Sequence, residues 1–186
     1  MATELAFAQE GYLVVRSLVD RPAIASVVNH LRKLAQIGIL RKGDTQVPGS
    51  AAMYAEPVVE ELLEELRPSV ERSTGLHLLP TYSYVRLYKH GASLERHRDR
   101  PACEVSVTLS LDADSPEPWP IWIEGFRQTE AVYLEPGDGL IYRGTDCDHW
   151  RDSFAGEFAA QAFLHYVERN GQHRDWKFDK RNALNT

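Results

Sequence analysis

Residues 104–111 read Glu-Val-Ser-Val-Thr-Leu-Ser-Leu, and this stretch decides the fold class. Apolar side chains occupy every second position: Val105, Val107, Leu109 and Leu111. This alternation predicts a β-strand with one face against a core and a polar opposite face. Outward from it, other short runs of strand-forming residues lie at 82–88, 119–124, 131–134, 140–143 and 158–167. Several short strands separated by turn residues are typical of a β-sandwich or jelly roll.

The first half of the chain has a different pattern. Tyr12–Val15 is a short strand-like run, and Asp20 followed by Pro22 predicts the start of a helix that ends near Gly38. Pro57 predicts the start of a second helix, running to about Val70, which Pro68 should kink or end. The polar residues 40–54 between the helices are expected to form a mobile loop.

These patterns predict an α+β, mainly β fold in a single domain spanning residues 1–186. A helical flank (1–78) precedes a β core (79–168), and a polar tail (169–186) follows. The net charge of −6 and the lack of a Lys/Arg cluster argue against nucleic acid as a partner. The sequence has no apolar run of about 18 residues and no visible signal peptide, so we expect a cytoplasmic protein that does not associate with a membrane. The pattern does not indicate an oligomeric state.

A candidate metal site lies just before the deciding strand. His97 and Asp99 are two residues apart, so an extended backbone places both side chains on one face. His149 is a third donor, which a strand-turn-strand passage could return to the same end of a barrel. Two imidazoles and one carboxylate leave three positions open on an octahedral metal, which suits Fe(II) with O₂ and a bidentate cosubstrate. Such pairs also occur by chance on surfaces, so spacing alone leaves both interpretations open.

The context of the pair resembles a known family. Tyr88, Gly91, His97 and Asp99 match the Y-x-x-G-x-x-x-x-x-H-x-D segment of the 2-oxoglutarate/Fe(II) dioxygenase superfamily, especially its prolyl-hydroxylase-like members. Residues 134–142 (LEPGDGLIY) resemble the family's strand before the distal histidine. Residues 7–15 (FAQEGYLVV) resemble its N-terminal entry. The resemblance extends over residues 7–167, with the elements in the family's order.

The resemblance implies a double-stranded β-helix of the jelly-roll or cupin-like type, with flanking N-terminal helices. It implies that His97, Asp99 and His149 are catalytic residues that hold Fe(II). 2-Oxoglutarate and O₂ would then be consumed together, with release of succinate and CO₂, to oxidise a substrate. Related halogenases carry a small residue at the position of Asp99, so hydroxylation is the expected outcome. The substrate is expected to be a small molecule, an amino acid or a peptide side chain, since no recognition module is appended.

The chain departs from the family pattern at the residue that holds the far carboxylate of 2-oxoglutarate. The family places an Arg or Lys there, whereas this chain has Ala159. Arg151 is our first candidate for the replacement and Arg86 the second, because a guanidinium can bind a carboxylate through two hydrogen bonds. Tyr88 matches the family's cosubstrate tyrosine, and Gln161 is a further candidate from the last strand. As alternatives, Arg151 would pair with a surface aspartate and Arg86 with a structural carboxylate.

Two rival functions stay open at this level. A cupin-like metalloprotein would hold Zn(II) or Mn(II) and catalyse a non-oxidative reaction, although cupins usually present three histidines and a glutamate. A β-barrel without catalysis would be a binding domain, and the uncharged Ala159 favours it. His165, on an apolar strand, is expected to be a core histidine with its hydrogen bonds satisfied.

Overall fold

The computed structural model describes residues 2–115 and 117–185, so Met1, Pro116 and Thr186 of the predicted domain lie outside the described residues. The described elements, in chain order, are α1 (Ala2–Glu10), β1 (Tyr12–Val15), α2 (Arg21–Gln36), β2 (Arg41–Lys42), β3 (Ala51–Tyr54), α3 (Pro57–Thr74), β4 (Leu78–Tyr88), β5 (Leu94–His97), η1 (Pro101–Cys103), β6 (Val105–Ala113), β7 (Ile121–Glu124), β8 (Thr129–Val132), β9 (Gly139–Arg143), β10 (Asp148–Arg151), β11 (Ala159–Glu168) and η2 (Arg174–Lys180). η1 is a 3₁₀ turn, and η2 is a 3₁₀ segment interrupted by non-helical backbone at residues 177–179.

The strands form two antiparallel sheets. The larger has the order β1-β9-β6-β11-β4-β3-β2, and the smaller has the order β5-β10-β7-β8. Side chains from both sheets pack together in one apolar cluster that includes Ile121 and Ile123 from β7 with Leu140 and Tyr142 from β9. The structure therefore confirms the mainly β fold and the two-sheet jelly roll.

The alternation of β6 places the two faces of this strand in different environments. Val105, Val107 and Leu109 are fully buried in the cluster that also contains Leu31 of α2 and Leu63 of α3. Burying each such side chain contributes roughly 1.5–3 kcal/mol. The intervening polar residues, Ser106 and Thr108 among them, are buried on the opposite face, between the sheets. The strand that decides the fold thus also delivers hydroxyl groups to the interior.

The helices follow the sequence signals, except at one proline. α2 begins after Asp20, whose side chain accepts a hydrogen bond from Ala23 N (2.8 Å), and Gly38 just beyond its end has a φ of +74°. Of the two outcomes predicted for Pro68, an end of the helix was wrong, since α3 runs on to Thr74 and stops at Gly75, where φ is +75°. Pro68 removes one backbone donor, but the turns after it bury Val70 completely, which favours continuation.

The prediction of a loop over 40–54 was also wrong at both ends. Strands β2 and β3 pair with each other, and β3 pairs with β4. Polar composition did not reveal this, because the pairing uses backbone groups at the edge of β4. The consequence is that the connecting residues 43–50 are held beside β4. No helix in the described part of the chain is long and apolar enough to span a membrane.

Candidate metal centre and cavity

Strand pairing brings the two predicted histidine ligands together. His97 is the last residue of β5, and it lies directly opposite His149 of β10 in the register of the smaller sheet. The two imidazole centroids are 4.3 Å apart. Asp99 follows β5, where its backbone N–H donates to the carbonyl of Gly144 (2.8 Å). Residues separated by about 50 positions in the chain therefore converge in the smaller sheet.

Both imidazoles are oriented by hydrogen bonds from the nitrogen that faces away from the centre. His97 Nδ1–H donates to the carbonyl of Glu95 (2.8 Å), and His149 Nδ1–H donates to that of Cys147 (3.1 Å). The Nε2 atoms of both rings consequently carry the lone pairs, and Tyr142 Oη lies 3.4 Å from that of His149. Each Nε2 lies 3.7 Å from Asp99 Oδ1, so three donor atoms face one point. This is an arrangement that could hold a metal ion.

The other oxygen of Asp99 is held by a buried polar chain. Ser106 Oγ donates a hydrogen bond to Asp99 Oδ2 (2.9 Å). The same oxygen accepts a hydrogen bond from the Nδ1–H of His165 (2.9 Å). Asp99 Oδ1 is thereby left for the metal. At Gly144, a Cβ would lie 2.5 Å from Asp99 Oδ2, so a larger residue there would displace the carboxylate.

Sequence reasoning missed Ser106 and Gly144. The signal for Ser106 was available, since a serine on the inward face of an alternating strand must find a buried partner. His165 is buried and hydrogen-bonded, as expected. Its partner is Ser106, so it contributes to the candidate site and is not only a core residue. It also forms, with Asp99 and Cys103, a second group of donor atoms within 4.8 Å of one another.

The pKa values of the three groups are shifted toward their neutral forms. Burial lowers the pKa of His149 to about 4, and burial together with the proximity of His149 lowers that of His97. Burial also raises the pKa of Asp99 to about 6, although the hydrogen bond from Ser106 lowers it. At neutral pH the imidazoles are therefore unprotonated and Asp99 is ionised, which is the state that binds a metal cation.

The three donors open onto a cavity of about 360 Å³. Its walls come from both sheets and from the loop before β3, and they carry three arginines among several aromatic rings. The remaining lining residues are Asp44, Gln46, Tyr82, Tyr84, Arg86, Leu94, Arg98, Arg100, Cys103, Thr108, Ile121, Tyr142, Phe163 and His165. This volume suits a small ligand beside a metal.

Arg86 lies on the cavity wall and already has a carboxylate partner. Its Nη2 donates to Asp44 Oδ2 (2.5 Å), and its Nη1 lies 3.4 Å from Tyr88 Oη. Tyr84 Oη donates to the same aspartate oxygen (2.9 Å). The structure therefore shows the alternative in which Arg86 pairs with a carboxylate of the protein.

Arg151 is fully buried, and the surface pairing considered for it was wrong. Its Nη1 donates to the carbonyl of Trp119 (3.1 Å), and its Nη2 donates weakly to Gln161 Oε1 (3.4 Å). Gln161 pairs with Arg86 across β11 and β4, which brings the predicted cosubstrate residues together. Arg151 is not among the residues lining the cavity, and no carboxylate is within ion-pair distance of it among the described residues. Burial lowers its pKa to about 10.

Unpartnered buried atoms test whether the site fits an anionic cosubstrate. Arg86 Nε, Arg151 Nε and Thr108 Oγ1 are buried and lack a hydrogen-bond partner. Leaving such donors unsatisfied costs about 1–3 kcal/mol each, and more when they are charged. Arg86 lines the same cavity as the His-Asp-His set, and Arg151 follows His149 by two residues in β10. Two such guanidinium donors without acceptors fit a dicarboxylate that bridges the metal and an arginine.

Comparison with known proteins gives the fold class. No protein-family model matches the chain, and no curated protein matches it in sequence. A prolyl-4-hydroxylase from Pseudomonas putida superimposes with a TM-score of 0.73 at 17% identity, over 91% of this chain and 98% of that one. The epimerase SnoN from nogalamycin biosynthesis, solved with Fe³⁺, α-ketoglutarate and nogalamycin RO, gives 0.75 at 13% identity, over 90% and 82%. HygX from Streptomyces hygroscopicus, solved with nickel, 2-oxoglutarate and hygromycin B, gives 0.71 at 14% identity, over 91% and 88%.

These likenesses show that the chain has the double-stranded β-helix fold of 2-oxoglutarate/Fe(II) oxygenases. The predicted fold class is confirmed. At these identities the comparison concerns the backbone, and the chemistry must be argued from the side chains described above.

Proposed function

We propose that this protein is a non-haem Fe(II), 2-oxoglutarate-dependent oxygenase that hydroxylates a small molecule, an amino acid or a peptide side chain. The observation that carries the proposal is the convergence of His97 Nε2, His149 Nε2 and Asp99 Oδ1 at one end of the cavity. Three facially arranged protein donors leave room for a chelating cosubstrate and O₂. The similar folds of a prolyl-4-hydroxylase, of an epimerase solved with Fe³⁺ and α-ketoglutarate, and of HygX solved with nickel and 2-oxoglutarate support the class of enzyme.

Each residue has a definite task in this proposal. His97, Asp99 and His149 hold the iron, which when bound supplies the activation of O₂ coupled to decarboxylation of 2-oxoglutarate. Arg151 binds the far carboxylate and Arg86 is the second candidate for this task, with Tyr88 and Gln161 as neutral hydrogen-bonding partners between them. The apolar side chains around them, Leu94 and Ile121, exclude water and so strengthen the charged hydrogen bonds.

The decisive experiment is an anaerobic titration of the metal-free protein with Fe(II) and 2-oxoglutarate, followed by visible absorption. Chelation of iron by the keto acid is expected to give a metal-to-ligand charge-transfer band that is lost in His97→Ala. Iron binding without a band would favour the cupin-like alternative, in which the metal is not a redox centre. Absence of metal binding would favour a barrel without catalysis and would refute the proposal.

Removing the hydroxyl of Ser106 is expected to weaken metal binding. In Ser106→Ala, Asp99 Oδ2 loses its donor, so the carboxylate is less well oriented, and we expect Fe(II) affinity to fall by about 10–100-fold. Ser83→Ala is the matched control, because Ser83 is equally buried and its Oγ has no hydrogen-bond partner. Equal metal affinities in the two variants would show that Ser106 does not position Asp99.

Metal affinity is expected to fall at acidic pH with the titration of one carboxylate. Because the pKa values of both histidines are lowered, the proton that competes with metal is the one on Asp99, whose pKa is about 6. Affinity for Mn(II) should be constant above about pH 7 and fall about tenfold per unit below about pH 6. Electron paramagnetic resonance of free Mn(II) measures this, and a loss steeper than one proton would mean that a histidine titrates as well.

A further inference from the structure

The segment after β11 presents an aspartate to an arginine on the cavity wall. Arg100 Nη1 and Nη2 donate to the two oxygens of Asp179 (2.7 and 2.8 Å), and Tyr54 Oη donates to Asp179 Oδ2 (2.7 Å). Paired donors of this kind match the planar geometry of a carboxylate. Arg100 directly follows Asp99 in the chain, and both line the cavity. A carboxylate-binding arrangement thus lies next to the candidate metal centre.

The backbone that carries Asp179 is strained. Phe178, Asp179 and Lys180 have φ values of +54°, +54° and +63°, which place three successive non-glycine residues in the left-handed region. Aspartate tolerates this conformation, but phenylalanine and lysine do so only at a cost in free energy. Such strain persists where other contacts impose it, and it recurs in functional segments. Here, Arg181 bound to the buried Glu60 holds the segment in place from the other side.

We propose that Arg100 and Tyr54 form a carboxylate-binding subsite for the substrate, and that Asp179 fills this subsite until a substrate replaces it. The ligand chemistry is an organic carboxylate with an apolar or aromatic body. It is called a substrate on the strength of the proposed function, whereas the binding itself requires neither iron nor 2-oxoglutarate.

The surroundings of Arg100 support this choice of ligand. The guanidinium lies 4.6 Å from the ring centroid of Tyr82 and 5.7 Å from that of Trp176, so a group bound to it would lie between aromatic faces. Arg100 has 43% of its side chain exposed, whereas the bound Asp179 has 13%. An incoming carboxylate can therefore reach the arginine and make the same three hydrogen bonds. Release of the strained segment would offset part of the cost of displacing Asp179.

The test is ¹⁹F nuclear magnetic resonance titration of metal-free protein with 4-fluorobenzoate, using neutral 4-fluorobenzamide as the control ligand. In Asp179→Asn the competing carboxylate is gone, and we expect 4-fluorobenzoate to bind at least about tenfold more tightly than to the unmodified protein. Adding Arg100→Gln to this variant should abolish the gain, whereas adding Arg98→Gln should leave most of it. Arg98 is the matched control because it also lines the cavity but is bound to Asp148.

The outcomes separate the subsite from a purely structural ion pair. If Asp179 only fastens the segment, Asp179→Asn will lower the melting temperature without increasing the affinity for 4-fluorobenzoate, and the proposal is overturned. The proposal is equally overturned if the gain in affinity remains after Arg100→Gln is added, or if 4-fluorobenzamide shows the same gain. If Arg100-dependent binding is found but the anaerobic titration shows no chelation, the carboxylate subsite stands and the oxygenase function falls; the reverse result removes the subsite alone.

Discussion

Replacing Asp99 by asparagine is expected to lower the affinity for Fe(II) by about a thousandfold or more, equivalent to about 4 kcal/mol. Asp99 supplies the one negative charge among the three donors, and its Oδ1 is 3.7 Å from both imidazole Nε2 atoms. Asparagine keeps the shape of the side chain and can still accept the hydrogen bond from Ser106. Loss of the charge is therefore the principal change, and loss of the charge-transfer band with 2-oxoglutarate measures it.

The stability of the metal-free variant provides an independent check on this result. Burial raises the pKa of Asp99, so at neutral pH the folded protein carries a carboxylate that the fold disfavours. Asp99→Asn should consequently be as stable as the unmodified protein, or more so. Asp112→Asn, which removes an exposed carboxylate bound to Arg32, is the control for the change of charge and should retain iron binding.

A second variant distinguishes the two groups of potential donors that share Asp99. If the metal lies between His97, Asp99 and His149, His149→Ala must abolish binding. If it lies between Asp99, Cys103 and His165, His149→Ala will retain binding and Cys103→Ser will lose it. The second result would contradict the assignment of the metal centre.

The sequence was sufficient to predict the fold because its strongest signal is geometric. Strict alternation in β6 places one face of the strand against the apolar core under the helices and the other face between the two sheets. This holds whatever the neighbouring strands are. The His-x-Asp spacing at the end of β5 likewise fixes the relative direction of two side chains. For His149 the strand-turn-strand passage allowed a return to the same end of a barrel but did not fix it, since the pairing of β10 with β5 is a long-range contact; the resemblance to a family favoured this position.

The parts that were missed depend on contacts that sequence spacing does not encode. The edge strands β2 and β3 form through backbone pairing, and their formation places Asp44 beside Arg86, a contact between residues 42 positions apart. In α3 the burial of Val70 outweighs the intrinsic cost of Pro68, which is a tertiary effect. The role of Ser106 similarly depends on Asp99 lying across the interior from it.

Replacing Arg151 by methionine is expected to weaken 2-oxoglutarate binding by about a hundredfold or more while stabilising the ligand-free protein. Arg151 is 3% exposed, and the described residues place no carboxylate within ion-pair distance of it. Burial lowers the pKa of Arg151 to about 10, which corresponds to a penalty on the order of 3 kcal/mol for its charged form. Methionine of similar length removes this penalty, whereas the cosubstrate loses a bidentate, charge-assisted partner.

A substitution that raises the stability of the protein and lowers its affinity for 2-oxoglutarate identifies a residue whose role is to bind an anion. The melting temperature of the metal-free protein and the 2-oxoglutarate dependence of the charge-transfer band measure the two effects. Arg86→Met is the matched variant; because Arg86 already binds Asp44, its loss should not stabilise the protein. A destabilised Arg151→Met with unchanged 2-oxoglutarate affinity would mean that the hydrogen bond to the Trp119 carbonyl is the role of Arg151. The far carboxylate would then be assigned to Arg86, which must displace Asp44 to bind it.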